Sequence, residues 1–156
     1  MTPFTITEIR PDSPDAFALL AELDAFLLSL PYPQESRHAF SVDKLIEQRV
    51  VFYVVYFNGV PAGCGGVKRF DTDFAEVKRM YVRPEYRGQG LARAILDRIS
   101  DCARQMGVTL LRLETGIYQT DAIALYEGWG FHRRPPYGDY RVDPMSVYFE
   151  KEIDLK

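Results

Sequence analysis

Val77-Lys78-Arg79-Met80-Tyr81-Val82, then Arg83-Pro84, then Arg87-Gly88-Gln89-Gly90-Leu91-Ala92 is the run that decides the fold. A β-branched and aromatic strand ends at the proline, glycines follow, and a helix opens at Leu91. That order gathers free backbone N–H groups at a helix N-terminus, where the positive end of the helix dipole also points. Such a place binds phosphate. Glycine at 88 and 90 lets the chain turn tightly and lets a pyrophosphate approach without meeting a Cβ. Arg87 adds a multi-donor cation beside the same anion. Two better-known glycine patterns do not fit. A Walker turn needs Lys and then Ser or Thr after its last glycine, where this chain has Leu91-Ala92. A dinucleotide fingerprint needs a third glycine where Arg93 stands. A tight turn with no ligand is the plain alternative, and the adjacent Arg87 and the strand-turn-helix context speak against it.

The chain has 156 residues and no internal repeat, which suits one domain spanning 1–156. Apolar residues make up 47% and charged residues 26%, the profile of a soluble globular protein. A net charge of -3 gives no reason to expect nucleic-acid binding through a broad basic surface. Cys64 and Cys102 lie far apart with no metal-ligand spacing, so they read as reduced thiols and no metal is expected. The apolar stretch from Phe17 to Leu30 is broken by Glu22 and Asp24, too polar to span a membrane. Met1-Thr2-Pro3 lacks the regions of a signal peptide, and a cytoplasmic protein is the expectation.

Phe4 to Ile9 alternates as a half-buried strand. Ser13-Pro14 opens a helix to about Leu30. Phe17, Leu20, Leu23, Leu27 and Leu30 lie at helical spacing along it, and Pro31-Tyr32-Pro33 stops it. A second short helix begins at Ser41. Asn58-Gly59 between two β-branched and aromatic runs predicts a hairpin. Asp71-Thr72-Asp73 turns into the strand Ala75 to Val82. The helix Leu91 to Met106 presents Leu91, Ala94, Ile95, Ile99 and Cys102 on one face and ends at Gly107. Val108 to Glu114 reads as a buried strand, Asp121 to Glu127 as a helix, and Ser146 to Ile153 as the last strand. The expected order is β-α-α-β-β-β-α-β-α-β, a mixed α/β sheet with helices on both faces.

The turn and the segment Leu125-Tyr126-Glu127-Gly128-Trp129-Gly130-Phe131 together resemble the GNAT superfamily of N-acetyltransferases, over about residues 50–131. The family turn is Arg or Gln, two residues, Gly, one residue, then Gly or Ala, met by Arg87, Gly90 and Ala92. A family tyrosine before a Gly-Phe pair is met by Tyr126 and Gly130-Phe131. The family's Asn seven residues before that tyrosine is replaced by Gln119, which reaches differently toward a pantetheine. The resemblance implies a mostly antiparallel central sheet with one splayed strand pair, and acetyl-CoA as cosubstrate. It puts the pyrophosphate on Arg87, Gly88, Gln89, Gly90, Leu91 and Ala92, and the pantetheine along Met80, Tyr81 and Val82 like an added strand. A backbone N–H near Met80 would then polarise the acetyl carbonyl.

The resemblance further implies direct transfer to an amine held beside the thioester, so alignment supplies much of the rate. Two proton jobs remain. Tyr126 is the candidate acid for the departing thiolate, because a phenol with a pKa of about 10 suits that task. Glu76, eleven residues before Arg87, is the candidate base, with His38 or water as alternatives. A buried aromatic and a solvated strand-end carboxylate are the plain readings of these two residues.

The acceptor pocket of such a fold is built by the segment after the first helix, the signature strand and the loop before the last strand. Here those segments carry Tyr32, Glu35, Arg37 and His38, then Glu76, Lys78 and Arg79, then Tyr137, Asp139 and Tyr140. Arg37, His38, Lys78 and Arg79 could hold an acceptor carboxylate, and Glu35 and Asp139 its amine, which suits an amino acid or related small amine. Surface ion pairs are the plain reading for Lys78 and Arg79. The long loop from Tyr137 to Ser146 suggests a closed pocket. A protein acetyltransferase, for lysine or an N-terminal amine, and a non-catalytic CoA sensor are the rival functions. One scaffold hosts many acceptors, so fold does not choose among them. A homodimer is compatible with the fold.

Overall fold

A computed structural model describes residues 3–37, 41–71 and 73–154. Among the described residues seven strands form one sheet, β1 (Phe4–Glu8), β2 (Val51–Phe57), β3 (Val60–Phe70), β4 (Phe74–Val82), β5 (Leu110–Gly116), β6 (His132–Arg134) and β7 (Ser146–Glu152). Their spatial order is β1-β2-β3-β4-β5-β7-β6. Every neighbouring pair is antiparallel except β4 and β5, which run parallel. Four α-helices of the described residues flank it: α1 (Pro14–Leu28), α2 (Val42–Glu47), α3 (Leu91–Gln105) and α4 (Thr120–Trp129). This is the mixed, mostly antiparallel sheet expected of the sequence, with one added element. The three residues of β6 are too short and too polar for any alternation to announce a strand.

Both faces of the sheet are covered, and β2 shows how the sequence arranges it. Tyr53 and Val55 point into one buried cluster with Ile95, Leu96 and Ile99 of α3, while Phe52 and Val54 point into another with Leu19, Leu20 and Leu45. An uninterrupted apolar strand is what a sheet buried on two sides requires. Asn58 and Gly59 both take positive φ, 49° and 81°, giving the hairpin turn that dipeptide favours. Leu96 is fully buried against the sheet. Leu96→Ala should cost about 2–5 kcal/mol of stability. The check is a lower denaturation midpoint with an unchanged slope.

The first helix departs from its expected face. Ala16, Leu19, Leu20 and Leu23 are its buried residues, whereas Phe17 is 59% exposed. It also ends earlier than expected, at Leu28. Just beyond, Arg37 reaches back to the carbonyls of Leu27, Leu30 and Tyr32. Cys64 is buried and Cys102 half-buried, both as free thiols. Burial pushes the Cys64 thiol up to about 12, so it stays protonated. Among the described residues no helix is long and apolar enough to cross a membrane.

Candidate active site

The parallel pair β4–β5 is joined only at Ala75↔Leu111 and Glu76↔Arg112. Beyond those two rungs β4 keeps pairing with β3 as far as Val82, and β5 with β7 as far as Gly116. The facing edges of β4 and β5 therefore diverge and leave main-chain groups that an extended ligand can satisfy by strand addition. Within β4 the register against β3 jumps from Lys78↔Gly66 to Tyr81↔Cys64, and Arg79 sits at φ 57°. This bulge re-aims the strand. Val77, Lys78, Arg79 and Met80 all line the same small chamber in consequence, where a regular strand would send alternate residues to opposite faces.

A cavity of about 440 Å³ follows the diverging edge of β4. Met80, Tyr81 and Val82 form one wall, and Arg87, Gly88, Gly90, Leu91 and Ala92 form the end where α3 begins. Leu23 and Phe26 of α1 and Gln119, Ala122 and Leu125 at α4 complete it. Gln89 is exposed and does not line it. Gly88 and Gly90 have φ of 79° and 81°, and a Cβ built on either meets no protein atom within 4 Å. The turn therefore opens onto space that the protein leaves free, at the N-terminus of a fifteen-residue helix, the geometry that receives anions. Arg87 is anchored beside it by its Nε–H, which donates to the Val82 carbonyl at 2.9 Å. These residues fit a diphosphate followed by an extended, amide-bearing arm.

Two ion pairs hold α1 over this slot. Arg83 grips Glu22 with Nε and Nη2, at 3.0 and 2.7 Å, and Arg79 Nη2 meets Asp24 at 2.6 Å. The Arg83 guanidinium keeps the Glu22 carboxyl below its usual range, as a close opposite charge does. Leu23, between the two acids, lines both the slot and the chamber.

The chamber, about 110 Å³, lies where β4 and β5 part. Its wall includes Met80, Glu114, Gln119, Tyr126 and Tyr140. Tyr126 is 5% exposed. Burial first, then the Glu114 charge, push its phenol well above the ordinary value, since both disfavour the phenolate. Gln119 borders the slot, the chamber and one acceptor-side cavity at once.

Glu76 is placed differently from its expected role. It is 2% exposed and lines the larger acceptor-side cavity rather than the chamber. One of its oxygens lies 2.5 Å from Lys78 Nζ, and the other accepts from Tyr137 OH at 2.5 Å. Tyr140 also bonds to it. Burial and the Glu76 charge push the Tyr137 and Tyr140 phenols far up, so both remain donors. Both of its oxygens are thus engaged within the protein, one by Lys78 and the other by Tyr137. Glu114 is the carboxylate that borders the chamber, held by Ser146 Oγ at 2.8 Å. The sequence does not single it out, although a carboxylate on the strand face opposite Leu111 and Leu113 is the available signal.

Among the described residues two cavities adjoin the segments expected to hold the acceptor. The larger, about 930 Å³, is bounded by the loop from Tyr137 to Met145 together with Glu35, Phe74 and Glu76. The smaller, about 580 Å³, is bounded by Leu27, Leu28, Tyr32, Arg37, Glu114 and Met145, among others. Tyr32 is fixed there, its OH accepting from Tyr118 N at 2.9 Å and its ring filling the place a side chain at Gly116 would take. Three expected carboxylate-holding cations are otherwise engaged. Arg37 serves the carbonyls of Leu27, Leu30 and Tyr32, Lys78 pairs with Glu76, and Arg79 pairs with Asp24 and the Leu20 carbonyl. Charge alone suggests each of them, while its partner lies elsewhere in the fold. His38 lies outside the described residues.

A family model for acetyltransferases of the GNAT family matches residues 17–131. The IAA acetyltransferase of Azospirillum brasilense is 41% identical over 151 residues, covering 96% of this chain and 97% of that protein. A crystal structure from Klebsiella pneumoniae, assigned as an acyl-CoA N-acyltransferase, superposes with a TM-score of 0.83 at 37% identity, covering 97% and 98% of the two chains. A GNAT acetyltransferase of Elizabethkingia anophelis with acetyl-CoA bound shares the fold, with a TM-score of 0.73 at 18% identity over 98% and 100%.

Proposed function

The chain belongs to the GNAT family of acetyltransferases and is an acetyl-CoA-dependent N-acetyltransferase, and from that premise we propose that its acceptor is the primary amine of a small molecule. The observation that carries the reading is convergence. The slot ending on the glycine turn and the two acceptor-side cavities each share wall residues with one chamber bordered by Tyr126 and Glu114. The Tyr137–Met145 loop lines the larger of these cavities, and a recess of this kind suits a small amine.

Acetyl-CoA supplies an acetyl group activated as a thioester. Gly88 to Ala92 hold its diphosphate by main-chain N–H groups, with Arg87 beside them. The diverging edge from Met80 to Val82 holds its extended arm, and the re-aimed backbone near Met80 offers an N–H toward the carbonyl. Gln119 borders the same arm from α4. Glu114 takes the proton that the amine loses before it attacks. Tyr126 supplies the proton that the departing thiolate needs, and its raised pKa keeps that proton in place until then. The larger part of the rate comes from holding amine and thioester together out of bulk water. Glu76 keeps Lys78, Tyr137 and Tyr140 in position.

Thiol release measured across amino acids, polyamines, aminoglycosides and peptides tests the acceptor class, with turnover expected for small amines. Turnover on peptides alone would overturn it. Tyr126→Phe should lower kcat by about 10²-fold or more with acetyl-CoA affinity nearly intact. Unchanged turnover would dismiss the assigned acid.

A further inference from the structure

The smaller acceptor-side cavity has charge of opposite sign at its two ends. Its inner end, shared with the chamber, carries Glu114. Its outer end, shared with the larger cavity, carries Lys44 on α2. Leu27, Leu28, Tyr32 and Met145 make up much of the remaining wall. The other cations around it are satisfied within the protein, Arg79 by Asp24 and Arg37 by three carbonyls. Lys44 differs from them. It is exposed, and its ammonium has no ion-pair partner among the described residues.

A cavity with an acid inside, a base at its mouth and an apolar wall is complementary to a zwitterion of the opposite polarity. We propose that Lys44 selects the acceptor, an amine that also bears a carboxylate, with the ammonium drawn to Glu114 and the carboxylate held by Lys44 across an apolar portion. This rests on the small-molecule acetyltransferase reading. It moves anion recognition away from Arg37, Lys78 and Arg79, whose charges serve the fold. Lys44 touches no reacting atom, so its effect belongs in KM. Its place at the rim shared by both cavities lets it meet carboxylates on spacers that lie in either.

The test compares acceptors that differ only in the carboxylate, 6-aminocaproate against pentylamine and 4-(aminomethyl)benzoate against benzylamine. The wild-type protein should favour at least one carboxylate-bearing member over its partner by about 10- to 100-fold in kcat/KM, the usual worth of a hydrogen bond between charged groups. Lys44→Ala should raise KM for that acceptor by a similar factor and leave the KM of its decarboxylated partner alone, and Lys44→Arg should retain the preference. Equal treatment of both members by the wild type, or a Lys44→Ala effect shared by both, overturns the assignment while leaving the acetyltransferase reading standing. If acetyl-CoA binds yet no small amine is acetylated, both fall together.

Discussion

Glu114→Gln should lower kcat for amine acetylation by about 10²- to 10⁴-fold, the range general-base catalysis contributes, while acetyl-CoA affinity should stay near the wild-type value. The glutamine keeps the size of the side chain and an oxygen that can accept from Ser146, so the chamber wall is preserved. What it lacks is a site for the proton that the amine must lose. Glu76→Gln is the informative contrast. Glu76 is 2% exposed, and its charge balances that of Lys78, itself largely buried. Removing one partner of a buried pair costs about 3–5 kcal/mol, so that variant should show its defect as a lowered melting temperature. If Glu76→Gln abolishes turnover in a stably folded protein and Glu114→Gln does not, the two roles must be exchanged.

What is legible in the sequence and what is not divides along the range of the interactions. The glycine turn, its entering strand and its helix are local patterns, and each residue's requirement is met within a few neighbours. The bulge in β4 is different, because Arg79 adopts φ 57° without being glycine and nothing in its neighbours announces it. Yet that one residue brings Lys78, Arg79 and Met80 to a common chamber. The cations mislead for a related reason. Arg79 finds Asp24 at a sequence separation of 55, and Glu22 meets Arg83 at 61. Charge is visible in a sequence, but neutralisation is a tertiary fact. The apolar residues of α1 form no single stripe because the helix serves two surfaces, with Leu19 and Leu20 on the sheet and Phe26 and Leu27 against cavities. Lys44 is silent in the sequence because a lysine on a short helix has no pattern to distinguish it.

Gly90→Glu should weaken acetyl-CoA binding by about three orders of magnitude, measured by calorimetry. A carboxylate placed where the diphosphate is held sets like charges together, and such a juxtaposition is strongly unfavourable. An energy of about 1.4 kcal/mol already makes a tenfold difference in affinity. The positive φ of 81° at this position adds a conformational cost that any residue with a Cβ must meet. Gly90→Ala separates the two effects. A Cβ there meets no protein atom within 4 Å. Alanine therefore brings only backbone strain, about 1–2 kcal/mol. Its affinity loss should be modest. Acetyl-pantetheine, which lacks the diphosphate, provides a second arm. Its slow turnover should be nearly the same in wild type and Gly90→Glu, since the substituted position faces a group this donor does not have. An undiminished affinity of Gly90→Glu for acetyl-CoA, or an equal loss with both donors, would mean that the anion is held elsewhere.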